Sequence, residues 1–267
     1  LGKCQSRQKP YFCAVPKQGN PIHMLNLPNI LTMSNLFCGC CAFMLVVYGR
    51  PDLAAWFTLA SFVFDYADGM AARALKIASP LGKELDSLAD VISFGAVPAA
   101  MMYMMLSQAL YPGHHLYPPA FQPRLFNPEA LPAFVLAMFA GLRLGKFNLD
   151  TRQANYFIGL STPACTIFVL GLALAVFNQR FQADVWLLNP WLLYALLPLL
   201  CYLLISEIPM FGLKIKRFDL SSNAMLLGFA VVFATLWFFL HELALSVIIV
   251  LYVLISIFLK NKVIASN

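Results

Sequence analysis

An all-α bundle of transmembrane helices, crossing the bilayer about eight times, is the fold class this chain predicts. Three observations carry that expectation. Of its 267 residues, 61% are hydrophobic and only 11% are charged, with a mean hydropathy of +0.75. Such a composition suits a polytopic membrane protein and excludes a soluble domain folded around one core. The apolar residues gather near 27–48, 53–77, 84–109, 129–147, 157–177, 187–206, 222–240 and 243–260. Each stretch has about the 17–25 residues a helix needs to cross a bilayer.

The third observation is where the basic residues fall. With the N-terminus inside, one side collects Lys3, Arg7, Lys9, Lys17, Arg73, Lys76, Lys83, Arg143, Lys146, Arg152, Lys214, Lys216, Arg217, Lys260 and Lys262. The other side holds Arg50, Arg124 and Arg180. Fifteen against three is a strong positive-inside bias, and it requires an even number of spans with both termini cytoplasmic. The net charge of +6 is therefore a topology signal, and no nucleic-acid partner is implied.

Residues 1–26 form a polar, basic segment in which Pro10, Pro16 and Pro21 prevent a long helix. They contain no apolar run followed by a small-residue cleavage site, so no signal peptide is expected. The block 27–262 is expected to be one integral membrane domain. Its first span opens LPNILTMSNLFCGCC, where Asn29, Thr32 and Asn35 place polar groups near the cytoplasmic end. Thr32 and Asn35 share a face, either contacting a nucleotide or packing helix on helix. Cys38 and Cys41 lie among Gly39 and Cys40 in an apolar helix, which favours small-residue packing over thiol chemistry.

Spans two and three carry the chemistry. Asp65 and Asp68 are three residues apart, Asp86 and Asp90 four, so each pair lies on one helical face. Between them Ser79, Pro80 and Gly82 let the chain turn and run back, aiming four carboxylates at one another. Unpaired carboxylates are costly in a bilayer, and divalent cations bound through oxygen resolve that cost. On a helical wheel Asp65, Asp68, Gly69 and Ala72 fall within an arc of about 100°. Gly69 and Ala72 thus leave room for a bulky ligand beside the acids, and Arg73 follows with a forked donor suited to phosphate. Metal ligands, space and a phosphate-binding arginine together describe a phosphoryl-transfer site.

Beyond the acids, VISFGAVPAA holds Gly95 and Pro98, which allow close packing or a kink in span three. Span four ends GLRLGKFNLD, with Arg143 and Lys146 on one face and Asn148 beyond. These cations either snorkel to the headgroups or bind phosphate or an acceptor carboxylate; the second reading is favoured because they face the same side as the acids. Ser161 and Thr162 open span five, where they line a polar cavity or merely shape the helix. His114 and His115 are expected in a solvated loop, and the last two spans form a hairpin around His241 and Glu242.

The spacing D-x2-D-G-x2-A-R-x8-G-x3-D-x3-D, filled by Asp65, Asp68, Gly69, Ala72, Arg73, Gly82, Asp86 and Asp90, resembles the signature of the CDP-alcohol phosphatidyltransferase family. The resemblance implies that an alcohol displaces CMP from a CDP-linked lipid in a membrane site holding divalent ions. LPNILTMSNLFCG, SFGAVPA, GLRLGKFN and GLSTPA further resemble the bacterial membrane-type phosphatidylserine synthases of that family, from about Leu27 to Pro163. Lys146 stands where that pattern has arginine, keeping the charge and losing the fork.

What the resemblance implies can be stated residue by residue. Asp65, Asp68, Asp86 and Asp90 hold two Mg²⁺ or Mn²⁺ ions, with Asp90 also the general base. Gly69, Ala72, Arg73, Gly82 and Asn35 serve the nucleotide and its phosphates, and Arg143, Lys146 and Asn148 the acceptor. Its partners are CDP-diacylglycerol, L-serine and membrane lipids, with a homodimer compatible, at a bacterial inner membrane. The family core has six spans, so the last hairpin is an extension. Glycerol phosphate or inositol phosphate as acceptor stays open as an alternative, as does a cation transporter built on intramembrane acids.

Overall fold

Short polar side chains followed by proline open four of the helices, because proline's missing N–H costs nothing in the first turn. Asn26 caps α1 (Leu27–Val47), accepting from the Asn29 N–H at 2.9 Å. Ser79 caps α3 (Pro80–Asp90) through the Gly82 N–H at 3.0 Å. Ser161 caps α6 (Thr162–Phe177) and Asn189 caps α8 (Pro190–Ile205) in the same way. The remaining helices are α2 (Pro51–Leu75), α4 (Val97–Leu110), α5 (Val135–Leu149), the short α7 (Ala183–Leu187), α9 (Ala224–Leu240) and α10 (Leu243–Phe258). This is a computed structural model, and it describes residues 25–77, 79–111, 126–149, 157–210 and 224–258. The basic N-terminal segment, the histidine pair and the Lys214–Arg217 loop lie outside the described residues.

The protein is all-α, and its apolar helices make it a membrane protein. Leu27–Val47, the continuous rod Pro80–Leu110 and Pro128–Leu149 are each long and apolar enough to span on their own. The helical rods match the eight expected stretches in position, with two local departures. Span five was expected from 157 but its helix begins at Thr162, because Phe157–Ile158 is extended and pairs antiparallel with Pro209–Met210. Gly159 permits that turn: its φ is +73°, and a Cβ there would stand 2.7 Å from the Ser206 carbonyl oxygen. Span six was expected from 187, yet α7 ends there and α8 restarts at Pro190; α6 and the segment after it meet at 111°.

Helices approach one another where side chains are small, as expected without a hydrophobic drive between spans. Gly39 on α1 lies against Ser93, Gly95 against Ala140 on α5, and Gly171 on α6 against Ser246 on α10. The α3–α4 rod is interrupted by a wider π-helical turn, Val91–Ala96. Its cause is Pro98, which has no N–H for the Phe94 carbonyl four residues earlier. The Thr166 hydroxyl on α6 donates to that carbonyl instead, at 3.1 Å. The Phe94 ring stacks on Phe62 of α2 with centroids 4.6 Å apart. Such a stack contributes about 0.5–1.5 kcal/mol beyond burial. The π-helical stretch is therefore held from two sides, one turn beyond Asp90.

Candidate active site

The acid site forms where α1, α2 and α3 meet. Lys76 ends α2 in the left-handed conformation, and with Ser79 capping α3 the chain reverses within a few residues. That tight return places one carboxylate oxygen each from Asp65, Asp68 and Asp86 within 4.8 Å of one another. Oxygens bound to one divalent cation at 2.0–2.6 Å span about this distance, so the cluster fits such an ion. Asp86 adds a second sign of fit: its Oδ1 is buried and has no hydrogen-bond partner among the described residues. Asp68 takes a 2.6 Å hydrogen bond from the Thr32 hydroxyl, which fixes one of its oxygens.

Beside the cluster is a cavity of about 190 Å³ lined by Asn29, Thr32, Asp68, Gly69, Ala72, Gly82 and Asp86, among others. Gly69 and Ala72 thus border open space, as their arc on the wheel predicts. The Arg73 guanidinium lies over Gly69, where a Cβ would stand 3.5 Å from one of its nitrogens. Gly82 packs tightly, since a Cβ there would come within 3.1 Å of the Asn29 amide oxygen.

Asp90 sits between two environments. On one side it faces Asp65, Asp86 and Asp68; on the other it faces Arg143 of α5. The Asn35 amide donates to its Oδ1 at 3.3 Å. Asn35 is fully buried, and its amide oxygen accepts from the Ser93 hydroxyl at 2.8 Å and from the Ser61 hydroxyl. These bonds give Asn35 a place between helices, beside the nucleotide contact expected for it. Every polar atom of its side chain is used between helices, and it is Asn29 and Thr32 that reach the cavity.

The expected acceptor residues separate. Arg143 is 7% exposed, and its Nε has no hydrogen-bond partner among the described residues. Lys146 instead pairs with Glu207 at 3.5 Å near the surface. Asn148 ties α5 to α3, its side-chain amide donating to the Ser87 hydroxyl at 2.7 Å and its backbone carbonyl accepting from Lys83 at 3.2 Å. Lys146 and Asn148 thus contact neighbouring elements, and only Arg143 is buried beside Asp90. Ser61 and Ser93 went unnoticed in the sequence. A signal existed, since Ser61 lies four residues before Asp65 and Ser93 three after Asp90, on the same faces.

A family model described as CDP-alcohol phosphatidyltransferase matches residues 25–265. The chain belongs to the CDP-alcohol phosphatidyltransferase family. Membership makes it a transferase and sets aside the cation-transporter reading. Several relatives near this level of identity are named CDP-diacylglycerol–serine O-phosphatidyltransferase. That of Bacillus subtilis is 31% identical over 182 residues, covering 68% of this chain and 88% of the relative. That of Helicobacter pylori is 29% identical over 252 residues, covering 92% and 96%. That of Saccharomyces cerevisiae is 34% identical over 170 residues, covering 57% and 55%. As a CDP-alcohol phosphatidyltransferase, the chain carries on the two helices that the signature spans a cluster of aspartates that could hold a metal ion.

Proposed function

We propose that this chain transfers the phosphatidyl group of CDP-diacylglycerol to L-serine, giving phosphatidylserine and CMP. The observation that carries the reading is the position of Asp90, between the carboxylate cluster and the buried Arg143. A base so placed can reach an alcohol whose carboxylate is held by Arg143 while the nucleotide's phosphates lie over the cluster. The relatives' names support the same pair of substrates.

Asp65, Asp68 and Asp86, with Asp90 beside them, would hold the divalent ions, Mg²⁺ or Mn²⁺ and two in number, which would supply positive charge to neutralise the pyrophosphate. Gly69 and Ala72 leave space for the cytidine, and Arg73 binds a phosphate oxygen at the cavity rim. Asp90 accepts the proton of the serine hydroxyl as its oxygen bonds to the phosphorus bearing diacylglycerol. The bond from that phosphorus to the CMP oxygen breaks, and CMP leaves with the electron pair. Asn35, held by Ser61 and Ser93, keeps the accepting carboxylate in one orientation.

The positive-inside bias supports both termini and the site facing the cytoplasm, and the bacterial relatives support an inner membrane. A soluble amino acid then reaches the site from water and the lipid nucleotide from the bilayer. The test is an acceptor panel: purified protein, labelled CDP-diacylglycerol and either Mg²⁺ or Mn²⁺, offered L-serine, glycerol 3-phosphate or inositol 1-phosphate. Metal-dependent CMP release with labelled phosphatidylserine is the expected result. Product formed only with a phosphorylated alcohol overturns the serine assignment.

A further inference from the structure

The last hairpin has no role in the reading above, and it packs on α6, whose Cys165 interacts with Arg143. Two fixed points set the register of α10 along α6. At one end the Asn178 amide donates to Glu242 at 2.9 Å. Further along, the Ser246 hydroxyl donates to the Phe168 carbonyl at 2.7 Å and lies over Gly171. The two helices are therefore antiparallel. Tyr252 comes six residues after Ser246, about 9 Å along the axis. The same distance back from Phe168–Gly171 on α6 falls at Thr162–Cys165. Arg143 is within electrostatic reach of Asp90, Cys165 and Tyr252, which closes the same circle from the α5 side.

Thr162 completes it. Thr166 is bound to the Phe94 carbonyl, and Thr162 lies one turn before Thr166 on the same face of α6. Asp90 lies one turn before Phe94 on the neighbouring rod, and both helices enter from the same end. Thr162 and Asp90 are thus level. The Thr162 hydroxyl is 1% exposed and has no partner among the described residues, like Nε of Arg143. Two orphaned polar groups, each more than nine-tenths buried, are costly unless something they bind repays them.

We propose that Arg143, Thr162 and Tyr252 form the subsite for a small hydroxy-amino-acid acceptor, with α10 of the terminal hairpin as its wall. The assignment rests on the phosphatidyl-transfer reading and deepens it. Arg143 and the Thr162 hydroxyl bind the acceptor's carboxylate, and the Tyr252 ring limits the bulk allowed at its hydroxyl-bearing carbon. The hairpin then belongs to the acceptor site, and acceptor choice is set partly outside the signature helices.

The test uses the purified protein in detergent with variants at Thr162 and Tyr252. Thr162→Val keeps the shape and removes the hydroxyl; the KM for L-serine should rise about tenfold, with the KM for CDP-diacylglycerol unchanged. Tyr252→Ala should lower the preference for L-serine over L-threonine by about tenfold, the scale of one methyl group in a tight pocket. Tyr252→Phe keeps the ring and should keep the preference; Tyr252→Leu serves if the alanine variant does not survive purification. An unchanged serine KM in Thr162→Val, together with an unchanged serine-to-threonine ratio in the Tyr252 variant, overturns the subsite. If the wild type turns over glycerol 3-phosphate or inositol 1-phosphate instead of serine, the serine reading falls by itself. The subsite then stands only if Thr162→Val raises the KM for that acceptor, and falls if it does not.

Discussion

Arg143 separates a structural from a functional account of the buried cation, because the two predict opposite changes in stability. If Arg143 exists to neutralise Asp90, removing it breaks a buried ion pair. Such breaks cost about 3–5 kcal/mol. At about 2–4 °C per kcal/mol for a chain of this size, the Tm should fall by roughly 6–20 °C. If Arg143 waits for a ligand, its unpaired Nε is a standing cost of about 1–3 kcal/mol. Arg143→Met fills similar space without that donor. The attraction of Asp90 offsets part of the relief, so the expected Tm lies within a few degrees of wild type or above it. Catalysis should respond in the opposite sense: losing a charge-assisted contact worth about 1.5–3 kcal/mol raises the serine KM about 10–150-fold. Arg143→Lys keeps the charge without the fork and should fall between. Serinol, which lacks the carboxylate, should show a smaller difference between wild type and variant. Thermal unfolding in detergent, set beside steady-state kinetics for serine and CDP-diacylglycerol, measures all of this. A Tm loss of 10 °C or so with an unchanged serine KM refutes the functional account.

Three further outcomes follow from the site's geometry. Asp86→Asn changes little volume and removes one arm of the carboxylate cluster, so turnover should be lost while folded protein is recovered; near-normal activity at saturating Mg²⁺ and Mn²⁺ counts Asp86 out as a ligand. Asn35→Leu removes the donor to Asp90 and the main acceptor of Ser61 and Ser93, whose hydroxyls keep only the longer contacts to the Asn35 carbonyl. We expect a loss of about 2–4 kcal/mol in stability and a fall in kcat larger than any change in the KM for CDP-diacylglycerol; unchanged kcat rules out a positioning role. Lys146→Met breaks a half-exposed pair with Glu207 and should cost at most about 1 kcal/mol. Its serine KM should stay within twofold of wild type, and a tenfold rise returns Lys146 to the acceptor site.

The uneven legibility of this chain has a physical basis. Helices in a membrane are long apolar runs, and charges inside them are so costly that four aspartates at helical spacing identify a ligand site from sequence alone. Glycine and alanine on the same arc were legible for the same reason, since an absent side chain beside an acid means space. The long-range partners were not. Whether an Asn, Lys or Arg faces a ligand or a neighbouring helix depends on which helices touch, and a single sequence does not contain that. Asn35, Lys146 and Asn148 looked alike as polar residues near one membrane face, yet they connect to Asp90, Glu207 and Ser87. Pro98 illustrates the same limit. Its break in the helical hydrogen bonding was readable from chemistry, but the Thr166 hydroxyl that takes the freed Phe94 carbonyl lies 72 residues away. That hydrogen bond does more than repair the helix. It fixes the height of α6 against Asp90, and so decides that the residue level with the proposed base is Thr162. A proline on the rod that carries Asp86 and Asp90 thereby sets which residue of α6 faces the acceptor side proposed here.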